Sequence, residues 1–178
     1  MHRFHADCSR CCGLCCVAPA FLAVQGFGRD KPAETPCLHL TRAGRCTIHA
    51  RRTALGYTSC IGFDCFGAGQ WITQDLFAGA RWSDSRQIGD RMFAAYRHWV
   101  PRFEAAALLN ASLPLVRHNA RALIEAKIDS LMRIESAHGP EPTDVARLRR
   151  DTLTLIRSAI AFEDESHPGA TRIDETRG

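Results

Sequence analysis

The sequence predicts a mainly α protein in which an irregular, cysteine-rich module over residues 1–70 packs on a small helical bundle over residues 84–162. Three observations predict it. All nine cysteines fall within the first 65 residues. That stretch is punctuated by Gly, Pro and other turn residues and has no sustained apolar period. From residue 84 onward, apolar residues recur at three-to-four spacing, as in helices with one buried face. Hydrophobic residues make up 46% and charged residues 24% of the chain, so an ordinary globular core is within reach.

In chain order, turn signals recur in "GFGRDKPAETP" (26–36) and "TRAGRC" (41–46), while "LHL" and "CTIH" suit short strands at most. Cys37 and Cys46 flank the second of these turns. Such a segment buries little apolar surface unaided, and cross-linking through its cysteines would supply what is missing. Trp71, Trp82 and Trp99 are expected to plug the join between module and bundle. The first long helix opens at a cap, Ser83 or Ser85, and carries Ile88, Met92, Phe93, Tyr96, Val100 and Phe103 on its apolar face. Pro101 lacks an N–H and is expected to kink or divide this helix near Val100. A second helix, over about 115–137, presents Val116, Ala120, Leu123, Ile124, Ile128, Leu131 and Met132, and Gly139-Pro140 ends it. A third starts at Thr143, with Asp144 in its first turn, and carries Val145, Leu148, Leu155, Ile156, Ala159 and Ile160. Residues 163–178 have no apolar period and are expected to form a disordered tail.

Charge and hydropathy exclude several classes. The net charge of +4 is mild, and the densest basic run, "RLRR" at 147–150, is followed at once by Asp151. It reads as a solvated helix face, and nucleic acid is disfavoured as a partner. No apolar run approaches the roughly 18 residues of a membrane span. The best candidate, "VAPAFLAVQGF" at 17–27, contains Pro19 and Gly26 and follows a thiol-dense leader, so it makes a poor secretory signal. A cytoplasmic location is expected. Among 23 basic residues only Lys31 and Lys127 are lysine, a bias given no mechanistic role.

The thiols carry the chemistry. Structural disulfides are disfavoured in a reducing compartment, and an odd number of cysteines leaves one unpaired in any case. Clustered thiolates instead suit a soft metal: an iron–sulfur cluster or zinc. "CSRC" (Cys8, Cys11) and "CGLC" (Cys12, Cys15) each have the spacing that turns two sulfurs toward one centre. The adjacent pair Cys15-Cys16 more naturally serves two metal atoms than one. Eight thiols divide by position into Cys8, Cys11, Cys15 and Cys16, then Cys37, Cys46, Cys60 and Cys65. Cys12 is left over, or stands in place of Cys11. Arg10, Arg42, Arg45, Arg51 and Arg52 are read as solvated, with screening of thiolate charge as the alternative. His39 and His49 are read as neighbours of the metal rather than ligands.

"CSRCCGLCC", followed by Cys46, Ile48, His49 and Arg52 in "CTIHARR", resembles the bacterial CxxCxxCC family of zinc- or iron-chelating proteins. That family pairs a tight N-terminal group ending in Cys-Cys with a downstream C-x-I-Y-x-x-R-P pattern. Here His49 replaces the aromatic residue and Thr53 the proline. One residue is inserted in the first motif, so either Cys11 or Cys12 takes the place of the second family cysteine. The N-terminal part is also similar to cysteine-rich leaders of some pentapeptide-repeat proteins, although no such repeat follows here. The resemblance covers about residues 8–65 and implies metal binding. Some members resemble flagellin lysine methylases thought to use an iron–sulfur cluster.

Three functional classes follow. The first is a cysteine-ligated metalloprotein that supports electron transfer or a modifying reaction. The second is a zinc-stabilised interaction module that engages a protein partner through its helical half. The third is a thiol-redox enzyme or sensor. Cys8, Cys12 and Cys15 also spell C-x3-C-x2-C, the spacing of radical S-adenosylmethionine enzymes, but the alternating strands and helices of a β/α barrel are missing.

Overall fold

The computed structural model describes residues 4–134 and 144–160. The first part of the chain folds by turns. Among the described residues no strand forms, and extended pairing is limited to two isolated bridges, Phe21 with Lys31 and Leu40 with Cys46. The second bridge closes the turn expected between Cys37 and Cys46, with the Thr41 N–H donating to the Arg45 carbonyl at 2.8 Å. Gly44 sits in this turn at φ +78°, and Gly13 at φ +82° faces it. A Cβ on Gly44 would lie 2.9 Å from the Cys12 carbonyl group, so the hairpin tip presses on the first cysteine segment only because both residues lack side chains.

Short 3₁₀ turns at Cys8–Arg10, Leu14–Cys16, Ala23–Gln25 and His49–Arg51 follow the cysteine and turn residues. Two single-turn helices complete the module, α1 (Thr58–Ile61) and α2 (Ala68–Trp71). The chain leaves α2 through a π turn at Ile72–Leu76, in which the Phe77 N–H reaches back to the Ile72 carbonyl at 3.0 Å.

Three long helices follow. α3 (Arg86–Ser112) begins where Ser85 accepts a hydrogen bond from the Ile88 N–H at 3.2 Å, which selects Ser85 over Ser83 as the cap. Of the two outcomes expected at Pro101, a kink or a division, the second does not occur: α3 runs through the proline as one helix. The missing N–H and ring clash cost about 3 kcal/mol. Trp99 and Phe103, on either side of the proline, are both buried in one core, and that packing outweighs the cost. α4 (His118–Met132) starts later than the apolar period suggests. The preceding residues form a tight turn, with the Leu115 N–H on the Ser112 carbonyl and the Arg117 N–H on the Ala159 carbonyl. α5 (Val145–Ile160) is capped by Asp144, whose carboxylate accepts from the Arg147 N–H at 2.9 Å. α4 also ends earlier than the expected 137, because the chain turns extended at Arg133; Gly139-Pro140, Thr143 and the expected tail lie outside the described residues.

The long helix α3 links two apolar clusters. Toward its start, Met92, Phe93, Tyr96, Trp99 and Phe103 pack with Cys12, Leu14, Val17, Ala68 and Ile72 of the module. Toward its end, Ala105, Ala106 and Leu109 pack with Ile124, Ile128 and Leu131 of α4 and Ala159 of α5. The tryptophans lie at the join as expected. Trp71 packs against Trp99 with ring centroids 4.6 Å apart and planes tilted by 60°, and the Trp82 indole donates to the Cys12 carbonyl at 3.1 Å.

His98 is buried beside Trp99, with ring centroids 5.0 Å apart. Burial, with Arg102 nearby, pulls its pKa down to about 4. A histidine held neutral in the fold but protonated in the unfolded chain gives stability that is present above about pH 6.5 and lost as pH falls toward 4. Replacing His98 with Gln should therefore flatten the acid side of the stability profile by up to about 3 kcal/mol. Denaturant midpoints for both proteins between pH 7 and pH 4 check this.

Candidate metal centre

Residues 5–12 are laid against the turn formed by α2 and the π segment, and side chains rather than a sheet hold them there. The Gln70 amide accepts from the Asp7 N–H at 2.9 Å and donates to the His5 carbonyl at 2.7 Å. Gln74 donates to the Arg10 carbonyl at 2.7 Å. The buried Thr73 hydroxyl donates to the Gly69 carbonyl at 2.8 Å and lies 3.5 Å from the Cys12 sulfur. From the other side, the Arg45 guanidinium donates to the carbonyls of Cys8 and Ser9. Within the segment, Asp7 accepts from the Ser9 hydroxyl and N–H, which hold its carboxyl below the usual range.

This docking brings Cys8, Cys11 and Cys15 to a cavity whose remaining wall includes Cys65, Gly69 and Tyr96. A Cβ on Gly69 would stand 3.0 Å from the Cys11 sulfur and 3.6 Å from the Cys65 sulfur, so the bare glycine is what lets both thiols approach the helix. Burial raises the pKa of Cys65 and of Cys8, and Cys15 adds to both. The grouping therefore differs from the one suggested by position. Cys65 joins the N-terminal thiols, although it lies at the far end of the module.

Cys16 goes the other way. Its carbonyl accepts from the Cys37 N–H at 2.9 Å, and the Cys37 carbonyl accepts in turn from Leu40, the bridge partner of Cys46. Cys60, on α1, lies within electrostatic reach of Cys37, Cys15 and Cys46; burial first, then these thiols, push its pKa up to about 11. Cys37 and Cys46 thus lie near Cys60, with the backbone of Cys16 beside Cys37. These cysteines adjoin the cavity group at Cys15 and Cys16, whose thiols contact each other. All nine cysteines are free thiols.

Cys12 belongs to neither group. It is 1% exposed and packs in the apolar core, with Thr73 near its sulfur and its carbonyl taken by Trp82. The Cys11 thiol donates to it, which draws the Cys12 pKa down and raises that of Cys11. Cys11 rather than Cys12 lines the cavity, and a triad of Cys8, Cys12 and Cys15 does not share it. His39 is engaged with the Tyr57 hydroxyl at 2.9 Å, and His49 is exposed in its 3₁₀ turn. Among the described residues no three His, Cys, Asp or Glu side chains stand in an arrangement that could hold a single metal ion.

Lys31, given no role from the sequence, is a buried structural cation. It is 4% exposed, and its ammonium donates to four carbonyls, those of Val17 (3.0 Å), Pro19 (2.6 Å), Pro32 (3.0 Å) and Thr35 (2.9 Å). Burial pulls its pKa down, while Cys37, Cys16 and Cys60 oppose the shift. Its rarity in an arginine-rich chain was the available signal. Two of the arginines read as solvated also have structural partners. Arg45 clamps the first knuckle, and Arg52 donates to the carbonyls of His49 and Cys60, each at 2.9 Å.

The chain is similar to two bacterial proteins. It is 37% identical over 91 residues to the uncharacterized protein YybG of Bacillus subtilis, a match that covers 51% of this chain and 33% of YybG. It is 42% identical over 43 residues to the UPF0153 protein YeiW of Escherichia coli, covering 24% of this chain and 51% of YeiW. The chain thus spans about a third of one curated relative and half of the other. No family model matches, and no solved structure matches. The likeness to leaders of pentapeptide-repeat proteins gains no support from these matches.

Two substitutions probe the geometry. Gly69→Val puts a branched side chain where the Cys11 and Cys65 sulfurs now sit. Thiol titration of the native protein should then show added reactivity at these two positions and no change at Cys37. Lys31→Met leaves four carbonyls, that of Val17 buried, without their donor and should cost about 3 kcal/mol, read as a lower denaturant midpoint. An unchanged midpoint would show that the carbonyls do not depend on the ammonium.

Proposed function

We propose that this protein is a cysteine-ligated metalloprotein in which Cys8, Cys11, Cys15 and Cys65 hold an iron–sulfur cluster. Cys16, Cys37, Cys46 and Cys60 form a second set of thiolate donors in this reading, adjoining the first at Cys15-Cys16. The observation that carries the reading is the convergence on one cavity of four thiols from two distant segments. Free thiols are soft donors, and unpaired they gain nothing from crowding together. The spacing supports a cluster over a single ion at the first site. The four thiols line one cavity, and a cluster distributes its cysteines over several irons, so it does not require them to converge on one ion.

Four cysteines saturate such a cluster, so no iron is left open to bind a substrate directly. The role that fits is to pass electrons, either to a partner or to a reaction carried out elsewhere. The free thiols fit a reducing, cytoplasmic setting, and among the described residues no helix is long and apolar enough to cross a membrane. A thiol-redox role is the second reading, favoured by the contacts within the vicinal pairs Cys11-Cys12 and Cys15-Cys16.

Elemental analysis and an absorption spectrum of anaerobically purified protein separate these readings. Stoichiometric iron and inorganic sulfide with a visible charge-transfer band are expected, and metal-free protein that forms disulfides reversibly would favour thiol redox. Cysteine variants then test the assignment. Cys65→Ser should lose the visible band, while Cys12→Ser should keep full metal content. Loss of metal in Cys12→Ser alone would transfer the ligand role from Cys11 to Cys12.

A further inference from the structure

Tyr96 shares the wall of the cavity with Cys8, Cys11, Cys15 and Cys65, yet it comes from α3, outside the cysteine-rich part of the chain. Its side chain is 5% exposed, and its hydroxyl is buried with no hydrogen-bond partner. A buried hydroxyl left unpaired costs about 1–3 kcal/mol, and a phenylalanine would fill the same apolar space without that cost. The ring packs in the core with Leu14, Met92 and Trp99, so packing alone accounts for an aromatic residue but not for its oxygen. A phenol is protonated at neutral pH, so the hydroxyl has a proton to donate.

We propose that the Tyr96 hydroxyl donates a hydrogen bond to a sulfur of the cluster held by Cys8, Cys11, Cys15 and Cys65, and thereby raises the reduction potential of that cluster. The proposal rests on the iron–sulfur reading of this site. Reduction adds negative charge that spreads over the sulfurs, and a donor aimed at one of them stabilises the reduced state more than the oxidised one. Backbone N–H groups of Gly13 and Leu14 already reach the Cys11 thiol, and those of Gly67 and Gly69 the Cys65 thiol; Tyr96 adds a side-chain donor from α3. Tyr96 is thus a tuning residue, with no part in holding the metal.

The test uses the full chain, purified anaerobically, as wild type and as Tyr96→Phe. Iron content, visible spectrum and midpoint potential are measured on both. The variant is expected to keep its iron and its visible band while its midpoint potential falls. An unmoved potential with iron intact overturns the hydrogen bond and leaves the cluster standing. A wild type that carries zinc and no visible band overturns the cluster itself, and the bond with it. If Tyr96→Phe loses its iron, 3-fluorotyrosine provides the second measurement. The chain has only two tyrosines, so labelling in a Tyr57→Phe background modifies Tyr96 alone. The more acidic phenol donates more strongly and should raise the potential above that of the unlabelled Tyr57→Phe protein, whereas an unmoved potential overturns the proposal.

Discussion

The docking of residues 5–12 on the turn that runs from Ala68 to Leu76 is the constraint on which the candidate site depends. No ladder of backbone hydrogen bonds is available to hold two irregular segments together. Gln70, Thr73 and Gln74 replace it by pairing their side chains with backbone groups of the first segment. Each such bond contributes about 1 kcal/mol, and together they fix the register in which Cys11 meets Cys65 over Gly69. The π turn fits the same purpose. An extra residue in the helical turn keeps Ile72 and Thr73 buried while the chain departs toward Phe77.

The same dependence explains which features were legible in the sequence. The three long helices could be read because a buried stripe leaves a period, and the differences concern their ends and the continuity of α3 through Pro101, where packing overrides local preference. The turn between Leu40 and Cys46 was legible from its glycine. That the module is rich in thiols suited to metal followed from composition alone. The grouping of those thiols did not, because CxxC spacing reports only on neighbours along the chain. Cys65 reaches the N-terminal group through two glutamines and a threonine, residue types that carry no period and no motif. The sequence reading placed Cys15 and Cys16 in one set, whereas Cys15 lines the cavity with Cys65 and Cys16 does not.

Lys31 shows a different kind of illegibility. A lone basic residue in a turn-rich stretch looks like solvated surface. Four carbonyls from Val17, Pro19, Pro32 and Thr35 instead enclose its ammonium. The chain otherwise uses arginine almost throughout, and a guanidinium is too broad and planar for this cage, whereas a compact ammonium with rotatable donors fits it. The cage lies beside Cys16, Cys37 and Cys60, so the buried positive charge also faces these thiols. A metal-bound set of thiolates carries net negative charge, and an internal cation lowers the cost of burying it.

The long helix α3 ties this chemistry to the rest of the fold. Met92, Tyr96 and Trp99 pack with Leu14, Cys12 and Ile72, so the helix supplies one wall of the cavity as well as the core of the bundle. A group bound between the thiols therefore stabilises more than the cysteine-rich part, because opening the cavity also strips apolar contacts from α3. Linkage runs in both directions: whatever binds the folded form selectively raises its stability, and whatever loosens α3 near Tyr96 weakens binding. The two parts of the chain differ in texture, but they meet in a single core. The site belongs to that core rather than to the cysteines alone.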